Sequence, residues 1–219
     1  MKYYLNIRRV RKGIAFVRFF IRFGYFKRCD CRNYCYPGAK IRGWGKLFLG
    51  HSNIFQERSL IFVETEVEGE SIALGNHNTV SAYALLRSHG GTINIGDHNF
   101  VGERVQIQGR GGVDIGNHCM IAAGTFISSS SHDFSEPEAL SFLKRELPAR
   151  TTIGDFVWIG TNSVVVAGVN IGHHSIIAAG TIVRNDVEPF TIVGGNPGRV
   201  IKRYSHSERE WVLVKERGN

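Results

Sequence analysis

The sequence predicts an all-β solenoid of short parallel strands, and three observations lead to this prediction. The chain restarts itself with the segments LGNHNT, IGDHNF, IGNHCM, IGDFVW and IGHHSI, which begin at Leu74, Ile95, Ile115, Ile153 and Ile171. An aliphatic residue also leads consecutive hexapeptides, as in IGDFVW, IGTNSV, VVAGVN, IGHHSI and IAAGTI. Glycine followed mostly by Asn or Asp punctuates the restarts, as a sharp turn requires. Such a period is typical of coils that stack on one another and bury one continuous core.

The spacing of the restarts sets the length of a coil. The offsets between successive restarts are 21, 20, 38 and 18. Three hexapeptides make one three-sided coil, which matches the shortest offset, so the offset of 38 contains an insertion of 20. We assign the insertion to residues 133–152, directly after His132 of the stretch SSSSHDF, and expect a short helix at EALSFLKREL, residues 138–147. A long loop in a tight solenoid usually has a function. We expect it to cover a neighbouring active site or to serve as an arm that packs subunits together.

Side-chain columns follow from this stacking. The leading aliphatic residues are expected inside, with a second inward column of small or amide side chains four residues later: Asn78, Asn99, Cys119, Val157 and Ser175. Cys119 is therefore interpreted as a core residue. The turn positions expected to adopt the left-handed backbone are Asn76, Asp97, Asn117, Asp155 and His173. Histidines 77, 98, 118 and 174 share the next position, which indicates an exposed corner, with a metal-binding ladder as the alternative.

Positive and negative charges are distributed unevenly along the chain. Residues 1–46 contain 13 Lys and Arg and one acid, whereas the remainder contains 14 Lys and Arg and 18 acids. This local excess of positive charge favours a basic arm that binds an anionic surface over a groove that binds nucleic acid. No nucleic-acid partner is expected. On a helix, Arg8, Arg11, Arg18 and Arg22 share one face, which predicts an interfacial helix within residues 1–28 at an anionic membrane or a helix that packs in an oligomer. The predicted domains are this basic, aromatic-rich segment over 1–46, a solenoid over 47–200 and a tail or helix over 201–219.

From about residue 93 to 203 the chain resembles the hexapeptide-repeat acyltransferases. IGDFVWIGTNSVVVAGVNIG, residues 153–172, and VGGNPGRVIKRY, residues 193–204, carry the resemblance. It implies a left-handed parallel β-helix with short flanking helices, acetyl-CoA as donor, no metal, and a homotrimer with active sites between subunits. The chain is most similar in type to the galactoside and maltose O-acetyltransferases. Its basic, aromatic N-terminus departs from those enzymes, which puts a small soluble acceptor in doubt.

The resemblance also assigns site residues. It implies that His132 is the catalytic histidine, and that acetyl-CoA lies along Trp158, Gly160, Thr161, Ala179, Arg184, Arg199 and Lys202. Acetyl transfer to a hydroxyl needs a base, and a neutral imidazole is suited to that task. Asp114 precedes His132 by one coil, so it would lie beneath the imidazole and orient it if the coils stack without offset. Asp133 or a backbone carbonyl is the alternative. Adjacent Ser, His and Asp do not make a hydrolase triad, whose members meet through the fold.

The expected function is therefore that of a cytoplasmic, trimeric O-acetyltransferase that modifies a sugar hydroxyl. The basic segment favours a polymeric or lipid-linked glycan acceptor at the inner face of a membrane. Alternatives are an acetyltransferase for an antibiotic, serine or an amino sugar, and a non-catalytic scaffold. A β-helical zinc hydratase resembling the gamma carbonic anhydrases is a further alternative, and it would need three histidines that meet across subunits.

Overall fold

Three parallel sheets, here named A, B and C, form the walls of a prism in a computed structural model that describes residues 28–29, 32–43, 46–64, 67–135 and 146–214. Sheet A contains β1 (Arg28–Cys29), β4 (Leu47–Leu49), β7 (Ser71–Leu74), β10 (Thr92–Ile95), β13 (Val113–Ile115), β18 (Thr151–Ile153) and β21 (Asn170–Ile171). Sheet B contains β2 (Tyr34–Cys35), β5 (Ile54–Phe55), β8 (Thr79–Val80), β11 (Phe100–Val101), β14 (Met120–Ile121), β19 (Trp158–Ile159), β22 (Ile176–Ile177) and β24 (Thr191–Gly194), followed by β25 (Arg199–Ser205) and β26 (Glu210–Leu213). Sheet C contains β3 (Lys40–Arg42), β6 (Leu60–Phe62), β9 (Leu85–Arg87), β12 (Gln106–Gln108), β15 (Phe126–Ser128), β20 (Val164–Val165) and β23 (Ile182–Val183).

Each coil lies directly on the one before it. Ile72 pairs with Ile93, Ile93 with Val113, and Val113 with Thr151, so one inward position is repeated from coil to coil. The leading aliphatic residues of the five restarts are all buried, as the hexapeptide period predicts. The predicted β-solenoid is thus confirmed, and its core is a stack of aliphatic layers.

The second inward column forms a ladder of amides. At each rung after the first, the backbone N–H donates to the Oδ1 of the asparagine one coil earlier, at 2.7–2.9 Å. The rungs, in chain order, are Asn33, Asn53, Asn78, Asn99 and Cys119. Each asparagine Nδ2 donates to a glycine carbonyl of the next coil, at 2.8–2.9 Å. The Cys119 thiol ends the series by donating to the Gly154 carbonyl at 3.0 Å. Burial raises the pKa of this thiol to about 11, so Cys119 is a neutral core residue.

The turns between sheets A and B, here called the A–B corner, differ from the expectation at one position. The left-handed backbone falls on the residue after the Asn or Asp, with φ between 57° and 60° at His77, His98, His118, Phe156 and His174. The Asn and Asp side chains instead accept backbone N–H groups of the neighbouring coil, as Asp97 accepts that of Asn76. The rings stack at centroid distances of 4.8–4.9 Å from His77 through His174. The stacked rings thus belong to residues with a left-handed backbone, a conformation that is otherwise unfavourable for bulky side chains.

The ends of the solenoid also differ from the expectation. A complete coil, β1 to β3, precedes residue 47 and pairs with β4 to β6, so the solenoid begins earlier than predicted. The C-terminal segment is not helical: β25 pairs antiparallel with β24, and β26 pairs antiparallel with β25. Its alternating side chains explain this, because Val200 packs against the core while its neighbours Arg199 and Ile201 are exposed. No helix occurs among the described residues.

The insertion starts and ends three residues earlier than predicted. Ala149 N donates to Ser129 O at 2.8 Å, and this bond closes the coil across the insertion. β16 (Ser130–His132) and β17 (Glu146–Pro148) form an antiparallel neck, and β18 then resumes sheet A. The insertion therefore spans 130–149 and keeps the predicted length. The helix predicted inside it falls mainly on residues outside the described ranges, although its last two residues, Glu146 and Leu147, belong to β17.

The basic N-terminal helix predicted around Arg8, Arg11, Arg18 and Arg22 lies outside the described residues. In the part of the chain that the structure describes, no helix is long and apolar enough to cross a membrane.

Candidate active site

His132 lies on the neck of the insertion, in the last position of β16. Its side chain is exposed, and among the described residues no group hydrogen-bonds the imidazole ring. The neck leaves the solenoid at the turn between sheets C and A, here called the C–A corner. His132 is therefore held on a short strand pair with an exposed side chain.

Asp114 does not lie beneath His132, contrary to the prediction from spacing. It pairs in register with Asn94 on one side and Thr152 on the other, on sheet A. Its carboxylate accepts hydrogen bonds from Arg150 Nη1 at 2.5 Å and from Asn94 Nδ2 at 2.7 Å. Because the insertion begins at residue 130, the position one coil after Asp114 belongs to Thr152. The Asp133 carboxylate accepts the N–H of Ser135 at 3.0 Å in a local turn.

The structure does bring together a second set of predicted residues. Thr161 and Gly180 are hydrogen-bonded on neighbouring rungs of the turn between sheets B and C, the B–C corner, where Thr161 O accepts the Gly180 N–H at 2.8 Å. A Cβ at Gly160 would collide with the backbone of Ala179, so a glycine is required for the two rungs to stack. Arg199 begins β25 opposite Gly194 and belongs to the same end of the solenoid.

Of the three remaining predicted acetyl-CoA residues, Trp158 and Lys202 lie on sheet B, and Arg184 lies apart from the B–C corner. Trp158 is half exposed on sheet B. In the pairing order of that sheet, Ile176 and Ile192 lie between it and Lys202. Arg184 follows β23 and is exposed at the opposite edge of sheet C, away from the B–C corner. The predicted set therefore divides into a group at one corner and one arginine apart from it.

His132 and the B–C corner occupy different edges of the prism. The wall between them is one face of sheet C, which spans up to about 20 Å for six residues. An open groove of about 780 Å³ runs along sheet A over Asn94, Asp114, Thr152 and Asn170, and Asp114 is the one predicted site residue that lines it. This groove contains neither the His132 imidazole nor the expected cofactor residues.

Sheet B carries an apolar stripe on its outer surface. Phe100, Met120 and Trp158 are stacked in register and are 43–50% exposed. Scattered exposed apolar residues are ordinary, whereas residues in a continuous stripe form a candidate contact surface. The stripe runs along the wall that ends at the B–C corner.

The sequence interpretation missed a cluster of charged side chains at the C–A corner. Glu146, opposite His132 in the neck, forms an ion pair with Arg110, whose Nε lies 2.9 Å from Oε2. Ser130 Oγ donates to the same oxygen at 3.2 Å. His89 Nε2 lies 3.9 Å from Oε1. These residues come from different coils and from the insertion, so no local pattern in the sequence connects them.

The histidines of the A–B corner stack ring on ring. In the described ranges, no three His, Cys, Asp or Glu side chains are grouped so that they could hold a metal ion. Ring stacking is the arrangement that the structure gives to this column.

Comparison with known proteins identifies the family. The model described as "Bacterial transferase hexapeptide (six repeats)" matches residues 150–185, and the model "Hexapeptide repeat of succinyl-transferase" matches residues 92–129. A chloramphenicol acetyltransferase of Klebsiella aerogenes is 33% identical over 168 residues, which cover 69% of this chain and 77% of that protein. The chain belongs to the hexapeptide-repeat acetyltransferases. As a member of this family it is an acetyl-CoA-dependent enzyme with the left-handed parallel β-helix fold, and these predictions are confirmed.

Other hexapeptide-repeat acetyltransferases are similar at comparable levels. A putative lipopolysaccharide biosynthesis O-acetyl transferase of Escherichia coli K12 is 29% identical and covers 64% of this chain and 76% of its own length. Galactoside O-acetyltransferase of the same strain is 32% identical, over 57% of this chain and 60% of that enzyme. The solved structure of a Bacillus cereus N-acyltransferase mutant, with dTDP and coenzyme A, has a TM-score of 0.58 and 18% identity and covers 87% of this chain and 90% of its own, which shows the shared fold.

Proposed function

We propose that this acetyltransferase moves the acetyl group of acetyl-CoA to a sugar hydroxyl of a surface polysaccharide or lipid-linked glycan precursor. His132 would act as the general base. It accepts the hydroxyl proton as the oxygen attacks the thioester, and that proton then leaves with the CoA thiolate as the thiol. This chemistry needs an exposed imidazole next to a place where an acceptor can bind.

The observation that carries the proposal is the position of His132 at the neck of the long insertion. The imidazole projects from the solenoid and has no hydrogen-bond partner among the described residues. An imidazole tied into the fold would be a poor base, because one nitrogen must remain open to the acceptor.

The proposed cofactor site follows the B–C corner. Gly160, Thr161 and Ala179 would provide close backbone approach, Trp158 an exposed ring, and Arg199 and Lys202 positive charge for the phosphates. Arg184 would contact the cofactor only across the end of sheet C. Since this corner and His132 lie on different edges of one subunit, we propose a homotrimer in which neighbouring subunits complete each site. The apolar stripe on sheet B supports this arrangement, because a second copy would cover it.

The acceptor class rests on two kinds of support. Relatives named for lipopolysaccharide and galactoside O-acetylation favour a sugar hydroxyl. The excess of positive charge in residues 1–46 favours an acceptor at an anionic membrane surface, and we propose peripheral contact through residues 1–28. A small acceptor of the chloramphenicol type is the second candidate, favoured by the relative that covers 69% of this chain.

His132→Ala tests the base. We expect acetyl transfer to fall by two or more orders of magnitude, in the range for removal of a positioned base, while the fold and acetyl-CoA binding persist. The measurement is the initial rate of CoA release with a galactoside, chloramphenicol or purified surface glycan as acceptor. His118→Ala is the matched control, because His118 is an exposed histidine of the A–B corner. Near wild-type turnover by His132→Ala would remove this residue from the mechanism.

A second experiment tests the acceptor. Mass spectrometry of surface glycans from cells with and without the protein should differ by the mass of one acetyl group. Identical glycans, together with rapid acetylation of chloramphenicol in vitro, would favour the small-acceptor candidate. Sedimentation with anionic liposomes at low salt, with and without residues 1–27, tests the membrane contact separately.

A further inference from the structure

Glu146 faces the same side of the neck as His132. The two residues are opposite partners in the antiparallel pair formed by β16 and β17. Side chains of opposite residues in such a pair point the same way, with Cβ atoms about 4.5–5.5 Å apart. The two side chains therefore leave the strand pair on the same face of the neck, and in this structure the Glu146 carboxylate pairs with Arg110 and not with the imidazole.

The Glu146 carboxylate is held from one side only. Oε2 accepts the Ser130 hydroxyl at 3.2 Å and lies 2.9 Å from Arg110 Nε. Oε1 accepts no hydrogen bond among the described residues, and its nearest charged neighbour is His89 Nε2 at 3.9 Å. The side chain is 26% exposed, so the charged cluster does not enclose the carboxylate completely.

The other members of the cluster brace Glu146 against the solenoid. His89 Nδ1 lies 3.3 Å from Glu64 Oε2 without hydrogen-bond geometry, and Arg87 Nε donates to Glu64 Oε1 at 2.5 Å. Arg110 and His89 thus fix the neck to two lower coils of the C–A corner. Of the two carboxylates in this cluster, Glu146 is the one that lies on the neck opposite His132.

We infer that Glu146 is the positioning residue of His132, and this inference rests on the proposed role of His132 as the base. Oε1 would accept the N–H of one ring nitrogen, which fixes the tautomer and leaves the other nitrogen to take the acceptor's proton. The imidazolium formed during attack would face a carboxylate. Asp114 cannot have this role, because Arg150 and Asn94 occupy it on sheet A.

A double-mutant cycle tests the inference. The four enzymes are wild type, Glu146→Ala, His132→Ala and the double variant, with single-turnover rates measured at excess enzyme so that slow variants remain measurable. We expect Glu146→Ala to lower kcat by one to two orders of magnitude, less than the roughly 10⁴-fold loss at the orienting aspartate of serine proteases, because Glu146 is partly exposed. The KM for acetyl-CoA and for acceptor should change less than about twofold. In the His132→Ala background the same substitution should change nothing further.

Glu64→Ala is the matched control, since Glu64 belongs to the same charged cluster but does not touch the neck. It should leave kcat near wild type, and thermal melting and oligomer mass should match among all variants. A rate loss from Glu146→Ala that persists in the His132→Ala background would overturn the inference, because Glu146 would then act on something else. A wild-type kcat in Glu146→Ala would overturn the positioning role of Glu146 and leave the proposed role of His132 intact. Wild-type kcat in His132→Ala would overturn the proposed base and the positioning role together.

Discussion

At the scale of single residues, the inward asparagines matter because each one satisfies buried groups of the next coil. Asn78 Oδ1 accepts the Asn99 N–H at 2.9 Å, and Asn78 Nδ2 donates to Gly96 O at 2.9 Å. A buried backbone group that loses its partner costs about 1–3 kcal/mol. The hydrogen bonds of this ladder are therefore required for one coil to stack on the next.

Asn78→Ala should lower the free energy of unfolding by about 2–5 kcal/mol, because it orphans one donor and one acceptor in the interior. The measurement is urea unfolding followed by circular dichroism. Asn94→Ala, at an exposed asparagine of sheet A, is the control and should cost less than about 1 kcal/mol. Equal costs at the two positions would contradict the structural role of the ladder.

Cys119 predicts a pH dependence of stability. Burial raises the pKa of its thiol from 9.0 to about 11, so the folded protein holds this proton more tightly than the unfolded chain does. Its contribution to stability is full below pH 9 and is lost as the pH rises toward 11, by up to about 3 kcal/mol at about 1.4 kcal/mol for each pKa unit. Cys119→Val, which repeats the valine that follows in this column, should flatten this part of the profile in urea unfolding between pH 8 and 11. The same slope in both proteins would contradict it.

At the scale of elements, the neck of the insertion is separable from the solenoid. Ser129 and Ala149 close the coil, with the Ser129 hydroxyl donating to Gln108 O at 2.7 Å. Thr151 Oγ1 also donates to Ser128 O at 2.7 Å across the seam. These hydrogen bonds join residues outside the two strands of the neck, so the closure of the solenoid beneath the insertion does not depend on β16 or β17.

Replacement of residues 133–145 by Asn-Gly should keep β16 and β17 joined by a two-residue hairpin turn. If the insertion contacts the acceptor, the acceptor KM should rise at least about tenfold, which corresponds to about 1.4 kcal/mol of lost binding, while the acetyl-CoA KM stays within twofold. Analytical ultracentrifugation checks the oligomer in the same samples. Dissociated subunits with an unchanged acceptor KM would instead identify the insertion as a packing arm.

At the scale of the whole molecule, the three corners of the prism carry different chemistry. Stacked rings occupy the A–B corner, the proposed cofactor residues occupy the B–C corner, and the insertion with His132 leaves the C–A corner. One subunit therefore separates the proposed base from the proposed cofactor site, and in the proposed homotrimer a neighbouring subunit would bring them together.

Mixed oligomers test this arrangement. His132→Ala and Arg199→Ala subunits should each be inactive or weak alone, whereas mixed trimers should recover about a third of wild-type activity, because one of the three interfaces in each mixed trimer pairs an intact histidine with an intact cofactor corner. The measurement is specific activity of doubly tagged, purified oligomers. No recovery would place both residues in a site within one subunit.

The sequence predicts the scaffold better than the site, for a physical reason. The buried leaders such as Ile95 and the amides such as Asn99 repeat with each coil, so their period determines their place. The long offset between Ile115 and Ile153 determines the length of the insertion but not where it begins, because any starting point between Ser128 and Asp133 gives the same offset. The prediction for Asp114 depended on that starting point. The contacts of Glu146 cross coils and have no period to reveal them.

The number of stacked coils also determines distances along the axis of the solenoid. The first described coil begins at residue 28, and the insertion with His132 leaves from the fifth, so four rungs of about 4.8 Å place the start of the neck roughly 19 Å along the axis from that first coil. An acceptor held at the first coil, as the proposed membrane contact implies, would have to present its hydroxyl at this height. Because every amide rung is chemically alike, a coil added or removed between Asn53 and Asn99 would change the height by one step and leave the His132 neck and the B–C corner as they are.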